Sequence, residues 1–118
     1  MENFDGKIAV ITGGGTGMGR ELTYQLAAEG CHVSICDVIE ENMEETFQEA
    51  SKKFPNVKIT KHLCDVSSEE DVLRFRDEVL EEQDTEHINL LFNNAGIGGG
   101  ASFVLSGIEE WERTFKIC

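Results

Sequence analysis

The chain has 118 residues, 40% of them hydrophobic, and a formal net charge of −13. That length suits one domain with a core of its own, and the apolar fraction is that of a folded rather than a disordered chain. The acidic balance argues against a nucleic-acid partner, which needs a basic patch. No apolar run approaches the ~20 residues that a membrane span requires.

The opening stretch MENFDGK carries two acids before its first lysine, and no apolar signal core follows it directly. A cytoplasmic location is therefore expected. The acids gather in EENMEETFQE and SSEEDVLRFRDEVLEEQDTE. Both runs read as solvated helix faces, with an acidic interaction surface as the open alternative.

Taken in order, residues 7–12 (KIAVIT) read as a short buried strand. Met18, Leu22 and Leu26 recur at helical spacing, and Gly30 ends that helix. Residues 31–36 (CHVSIC) form the second strand. Met43, Phe47, Ala50 and Phe54 make an apolar stripe that Pro55 breaks. Residues 57–63 (VKITKHL) are the third strand. Ser67 and Ser68 are N-cap candidates, with Glu70 placed for a capping box, ahead of Val72, Phe75 and Val79. Residues 88–92 (INLLF) are the fourth strand, and Ser106 with Glu109 opens a last helix carrying Ile108, Trp111 and Phe115.

Strand and helix thus alternate with short connections. The pattern calls for an α/β fold, a parallel sheet covered by helices on both faces. Right-handed crossovers make such a sheet doubly wound, in the order 3-2-1-4 for four strands. Its ligand crevice lies at the carboxyl ends of the strands. The four cysteines, Cys31, Cys36, Cys64 and Cys118, have no CxxC spacing, and His32, His62 and His87 form no ligand pattern with them. Cys31, Cys36 and Cys64 fall in the expected strands as small apolar fillers.

Four clues follow the ends of the four strands. After Thr12, Gly13, Gly17 and Gly19 form G-x-x-x-G-x-G, with Gly15 and Thr16 inside the turn. Glycine lets the main chain approach a ligand closely, and the turn opens onto a helix N-terminus that favours phosphate. The turn reads as a pyrophosphate cradle, against a plain glycine-rich turn. Asp37, followed by Val38, closes the second strand. A carboxylate there can accept both hydroxyls of an adenosine ribose and would repel a 2′-phosphate. Neither Thr16 nor Val38 is basic, which favours NAD over NADP. The alternative is an Asp that merely opens a turn. Asp65 and Val66 follow the third strand, where a carboxylate can accept from an adenine amino group and Val66 can contact the ring. Asp65 can equally be a helix-entry residue. Asn93, Asn94, Ala95 and Gly96 (NNAG) follow the fourth, with two amides and two small residues that leave room for a ribose.

These motifs resemble the short-chain dehydrogenases/reductases. TGGGTGMG corresponds to the family's TGxxxGxG, CDV at 36–38 to its cofactor-choice position, CDV at 64–66 to its adenine contact, and NNAG at 93–96 follows in register. The resemblance covers about residues 5 to 118. It implies a Rossmann-type fold, a nicotinamide cofactor and reversible oxidation of an alcohol to a carbonyl. It places Gly13, Gly17, Met18 and Gly19 on the pyrophosphate, Asp37 on the adenosine ribose, and Asp65 and Val66 on adenine. Asn94, Ala95 and Gly96 face the ribose region, and Asn93 braces the sheet. It also implies a small-molecule alcohol or carbonyl substrate and a homo-oligomer, dimer or tetramer.

The family's proton transfer needs a tyrosine whose pKa a nearby cation lowers, supplied by a lysine four residues on. The single tyrosine here is Tyr24, and Ala28 stands four residues later. A Trp-based register puts Cys118 where many relatives carry a relay asparagine, and a thiol cannot reproduce an amide's bonding. The expectation is therefore a Rossmann-type sheet truncated after its fourth β-α unit. Residues 1–118 would be the NAD-binding part of a longer enzyme, inactive alone. The rival reading is a non-catalytic protein that binds a dinucleotide or a partner.

Overall fold

The computed structural model describes residues 4–94; the expectations for Ala95, Gly96 and the helix carrying Trp111, and for Cys118, lie outside them. Seven elements alternate along the chain: β1 (Ile8–Thr12), α1 (Gly17–Ala28), β2 (His32–Asp37), α2 (Glu40–Lys53), β3 (Ile59–Leu63), α3 (Glu69–Glu82) and β4 (Leu90–Asn93). All strand pairings are parallel, and the sheet order is β3-β2-β1-β4. This is the doubly wound α/β arrangement that the alternation calls for.

The register aligns the strand ends. Thr12 is opposite Cys36 on one side and Asn93 on the other, and Asp37 is opposite Leu63. The segments that leave β1, β2, β3 and β4 therefore emerge along one edge of the sheet. Two apolar layers hold it there. On one face Val10 and Cys36 pack with Val72, Phe75 and Val79 of α3, together with Cys64, Val66 and Ile88. On the other, Ala9, Ile11, Val33 and Ile35 pack with Leu26 and Ala27 of α1 and Met43 and Ala50 of α2. Strands buried on both faces must be apolar at successive positions, and Ala9, Val10 and Ile11 are all fully buried.

The strands start later than hydropathy alone suggests, because side chains take the first ladder bonds. The Lys58 amide donates to His32 Nδ1 at 2.9 Å, so β3 begins at Ile59. The Ile8 amide donates to Asn89 Oδ1 at 2.9 Å, so β4 begins at Leu90 rather than residue 88. Cys31 precedes β2 and Cys64 follows β3 instead of lying within the strands, and both are buried free thiols, as is Cys36.

The helix ends follow from local chemistry. Ser68, not Ser67, caps α3 by accepting the Asp71 amide; the expected capping box with Glu70 does not form, since the Ser68 amide donates to the Asp65 carbonyl at 2.9 Å and the Asp71 carboxylate accepts the Asp65 amide at 3.0 Å. Ser67 instead donates to Asp65 from both its amide and its hydroxyl. α1 closes with the Cys31 amide on the Leu26 carbonyl and the Gly30 amide on the Ala27 carbonyl, each at 3.0 Å. This double bond pattern needs a left-handed residue at the exit, and Gly30 supplies it with φ of +87°. An added Cβ would also come within 2.3 Å of Asp5 Oδ1. Gly30→Ala is accordingly expected to cost about 1–2 kcal/mol, the penalty of a left-handed L-residue, read as a lower urea midpoint at unchanged slope; an unchanged midpoint would refute this account of the exit.

Candidate functional site

The glycine-rich turn between β1 and α1 is tied to the end of β2. The Cys36 carbonyl accepts the amides of Gly13 and Gly14 at 2.8 and 3.0 Å. One step further, the Gly15 amide donates to Asp37 Oδ2 at 2.9 Å. The turn lies so close to β2 that a Cβ on Gly14 would stand 2.5 Å from Ile35 Cβ, and one on Gly15 would stand 2.6 Å from Asp37 Oδ2. At the helix entry, Gly17 has φ of +56°. A Cβ on Gly19 would reach 2.0 Å from the Gly13 carbonyl oxygen, which is backbone and cannot step aside. Three glycines, Gly14, Gly15 and Gly19, are thus required by space and two, Gly13 with φ of +71° and Gly17, by angle.

That start is electrostatically open. α2 begins with Glu40 and Glu41, and α3 begins with Glu69, Glu70 and Asp71 under a serine cap. Among the described residues α1 has neither: its N-cap, Thr16, makes no side-chain cap bond, and its first turn holds no acid. Its leading amides and positive dipole end therefore remain available to an anion, an attraction of about 0.3–1 kcal/mol for an exposed charge. Met18 projects from this turn into solvent.

Asp37 organises the next part of the edge. Besides the Gly15 amide on Oδ2, its Oδ1 accepts the amides of Val38 at 2.7 Å and Ile39 at 3.3 Å. Val38 and Ile39 are exposed beside it. Asp65, at the end of β3, has its carboxyl held below the usual range, first by the Ser67 hydroxyl and then by the Ser67 amide, so it stays ionised. Val66 is buried in the α3 core, so its side chain is committed to packing. At the end of β4, Asn93 Oδ1 accepts the Thr12 hydroxyl at 2.9 Å, clamping β4 to β1, and Asn94 Nδ2 donates to the Gly13 carbonyl at 3.4 Å.

Arg20 is a site residue that sequence reasoning passed over. Its Nη2 donates to the Gly15 carbonyl at 2.6 Å and the Asn42 carbonyl at 3.1 Å, and its Nε reaches Thr46 Oγ1 at 2.9 Å. Glu45 neutralises it at 3.3 Å. The guanidinium pins the turn to α2 and spends its charge internally. A lone arginine directly after a glycine-rich turn was the available signal; its targets lie in α2 and only the fold reveals them.

Tyr24 sits on α1 facing α2, where its hydroxyl donates to Glu49 Oε2 at 2.6 Å. Burial, and then that carboxylate, push its pKa up to about 12 from 10.0. A proton-transferring tyrosine needs the opposite shift. Because the folded-state value is raised, this contribution to stability is complete below pH 10 and is lost as pH rises through about 12. With one tyrosine in the sequence, phenolate absorbance should rise in a single step near pH 12 in the folded protein and move down in Glu49→Gln. A midpoint at or below the ordinary phenol value would contradict the assignment.

With this geometry in place, likenesses to known proteins become informative. The family model for short chain dehydrogenases matches residues 7–118. Epidermal retinol dehydrogenase 2 of Mus musculus and of Homo sapiens is 34% identical over 116 residues, covering 98% of this chain and 37% of the relative. The fold is similar to that of NAD+-bound xylitol dehydrogenase, with TM-score 0.75 and 34% identity over 83% of this chain and 36% of that one. It is equally similar to L-sorbose reductase from Gluconobacter frateurii, complexed with NADPH and L-sorbose, with TM-score 0.75 and 27% identity over 93% of this chain and 41% of that one. The chain spans little more than a third of the curated relatives' length. The parallel sheet, the glycine turn on β2 and the match from residue 7 to residue 118 agree: the chain belongs to the short-chain dehydrogenase family.

Proposed function

We propose that this chain is the dinucleotide-binding part of an NAD-dependent oxidoreductase acting on a small alcohol or carbonyl substrate. The observation that carries the reading is the Asp37 carboxylate held against the Gly15 amide, at the end of β2 and beside the open start of α1. The residues fit the cofactor: without Cβ atoms, Gly14, Gly15 and Gly19 let the turn pack against Ile35, Asp37 and the Gly13 carbonyl, which seats it on β2 and leaves the start of α1 to a pyrophosphate. A nicotinamide dinucleotide held there supplies hydride-transfer chemistry. Gly13, Gly15, Thr16, Gly17, Met18 and Gly19 would line its phosphates and Asp37 with Val38 its adenosine ribose. Asp65 and Val66 would face adenine, Val66 through its backbone, and Asn94, Ala95 and Gly96 the second ribose.

NAD is the preferred cofactor on electrostatic grounds. Like charges about 4 Å apart repel by about 4 kcal/mol at an effective dielectric of about 20. A 2′-phosphate beside Asp37 would meet that repulsion, reduced by solvent at an exposed edge. Arg20 does not offset it, because Glu45 and two carbonyls already occupy its guanidinium. Solved relatives hold NAD in one case and NADPH in another, so the family alone does not choose. The proton-transferring tyrosine and lysine of the family would belong to the part of the relatives that this chain does not align with. A protein of the family without this pair would bind the dinucleotide and not turn over, and Tyr24, bonded to a carboxylate, favours that second reading for the 118 residues taken alone.

Calorimetric titration of the purified protein with NAD and NADP tests the proposal. NAD should bind at least about tenfold more tightly, a fraction of the unscreened repulsion, and Asp37→Ala should remove the difference. Equal affinities in the unaltered protein would contradict it. Incubation with NAD and a panel of alcohols should yield no NADH from these residues alone; steady NADH production would refute the assignment of proton transfer elsewhere.

A further inference from the structure

We propose that His62, Glu78 and Glu82 bind a zinc-class divalent metal ion on the face of the sheet that α3 covers. His62 is the fourth residue of β3, and the two glutamates lie four apart on α3, so both carboxylates leave one side of the helix. His62 Nδ1 is 2.8 Å from Glu78 Oε1 and 4.0 Å from Glu82 Oε2. The three donor atoms all lie within 4.8 Å of one another. Two ligand atoms on a tetrahedral zinc ion stand roughly 3.3 Å apart, given bonds of about 2.0–2.1 Å. Small rotations of the glutamates therefore seat the ion, with water completing its shell. A nitrogen donor beside two carboxylates suits zinc and neighbouring transition metals better than calcium or magnesium, which take oxygen.

The burial pattern gives the site a floor and a mouth. The His62 side chain is 0% exposed, whereas those of Glu78 and Glu82 are 40% and 49% exposed. An ion enters along the carboxylates and ends at the imidazole. The ring is held from behind: Nε2 lies 2.8 Å from Thr60 Oγ1, and the Phe75 ring packs at 5.2 Å between centroids. Thr60 donates to Ser34 Oγ, which also accepts from Gln83 Nε2 at 2.9 Å. With the Thr60 proton given to Ser34, its oxygen accepts His62 Nε2–H, and Nδ1 presents a lone pair to the glutamates. A lone pair 2.8 Å from an ionised carboxylate calls for a cation or a proton between them.

Without an ion, the proton takes that place. The hydroxyls then turn round, Ser34 donating to Thr60, Thr60 to Nε2, and Nδ1–H to Glu78. Both polarities keep the same heavy atoms in contact, so the buried network accommodates the ion without rearrangement. Binding converts the neutral imidazole from its Nδ1–H to its Nε2–H tautomer: the Nδ1–H bond breaks, an Nε2–H bond forms by exchange with solvent, and no net proton is released. An outer partner of this kind on the second ring nitrogen is what orients imidazole ligands. Among the described residues, the neighbouring cations do not occupy the position. Arg74 Nε is 3.7 Å from Glu78 Oε2, but the same guanidinium also binds Asp71 and the Leu63 carbonyl. Lys58 Nζ binds the Glu82 carbonyl, not its carboxylate.

The experiment is a zinc titration of the purified protein against a chromophoric chelator, repeated with cobalt as a spectroscopic substitute. One ion should bind per chain, with a cobalt spectrum of nitrogen and oxygen ligands. The Glu78→Gln/Glu82→Gln double variant alters only half-exposed side chains, and circular dichroism confirms its fold; it should lose the ion. Thr60→Val should weaken binding about tenfold through the freed imidazole. Zinc retained unchanged in the double variant would overturn the proposal, as would a thiolate charge-transfer band assigning the ion to the cysteines, or no binding by the folded protein at micromolar zinc.

Discussion

The hydrogen bond from the Gly15 amide to Asp37 Oδ2, at 2.9 Å, is the contact on which the rest of the site depends. It joins the turn after β1 to the end of β2 and fixes where the start of α1 points. Its supports come from three directions. The Cys36 carbonyl takes the two preceding amides, Arg20 takes the Gly15 carbonyl, and Asn94 reaches the Gly13 carbonyl. Hydrogen bonds to charged groups contribute roughly 1.5–3 kcal/mol each, more than the about 1 kcal/mol of a neutral pair. The two charged contacts, through Asp37 and Arg20, therefore dominate the hold on the turn.

Rigidity of this kind has a functional meaning. A turn that must present bare amides cannot bury them under its own side chains, so it must be held from below and behind. Gly14 and Gly19 allow that by letting β2 and Gly13 approach to distances that any side chain would forbid. The acid-free start of α1 is the counterpart: α2 and α3 complement their dipoles with their own carboxylates, whereas α1 leaves its end for something else. The sheet brings these features into one edge because Thr12, Asp37, Leu63 and Asn93 end at one level.

Much of this was legible in the linear order of residues. Alternating apolar runs and amphipathic stripes specified the parallel sheet and its order, because few other arrangements bury strands that are apolar on both faces. Glycine positions were legible because space and backbone angle leave few substitutes. What escaped was contact chemistry between distant segments. The start of β4 moved because Asn89 replaces a backbone acceptor for Ile8, and of the two cap candidates Ser68 caps α3 because Asp65 engages Ser67. Arg20 and the His62–Glu78–Glu82 cluster were invisible for the same reason: their partners lie on other elements. Val66, read as a ring contact, proved to be core, since its exposure depends on how α3 packs.

The central claim is that the glycine turn and Asp37 receive the dinucleotide. The most direct measurement is a backbone amide spectrum of the isotope-labelled protein during titration with NAD. The account predicts that the resonances of Gly13, Gly15, Gly17, Gly19 and Val38 move together and saturate. Those lining the cavity of about 440 Å³ at the opposite end of the strands, Gly6, Gly30, His32 and Asn56 among them, should stay in place. Shifts confined to that opposite cavity, or a glycine turn that does not respond to saturating NAD, would contradict it.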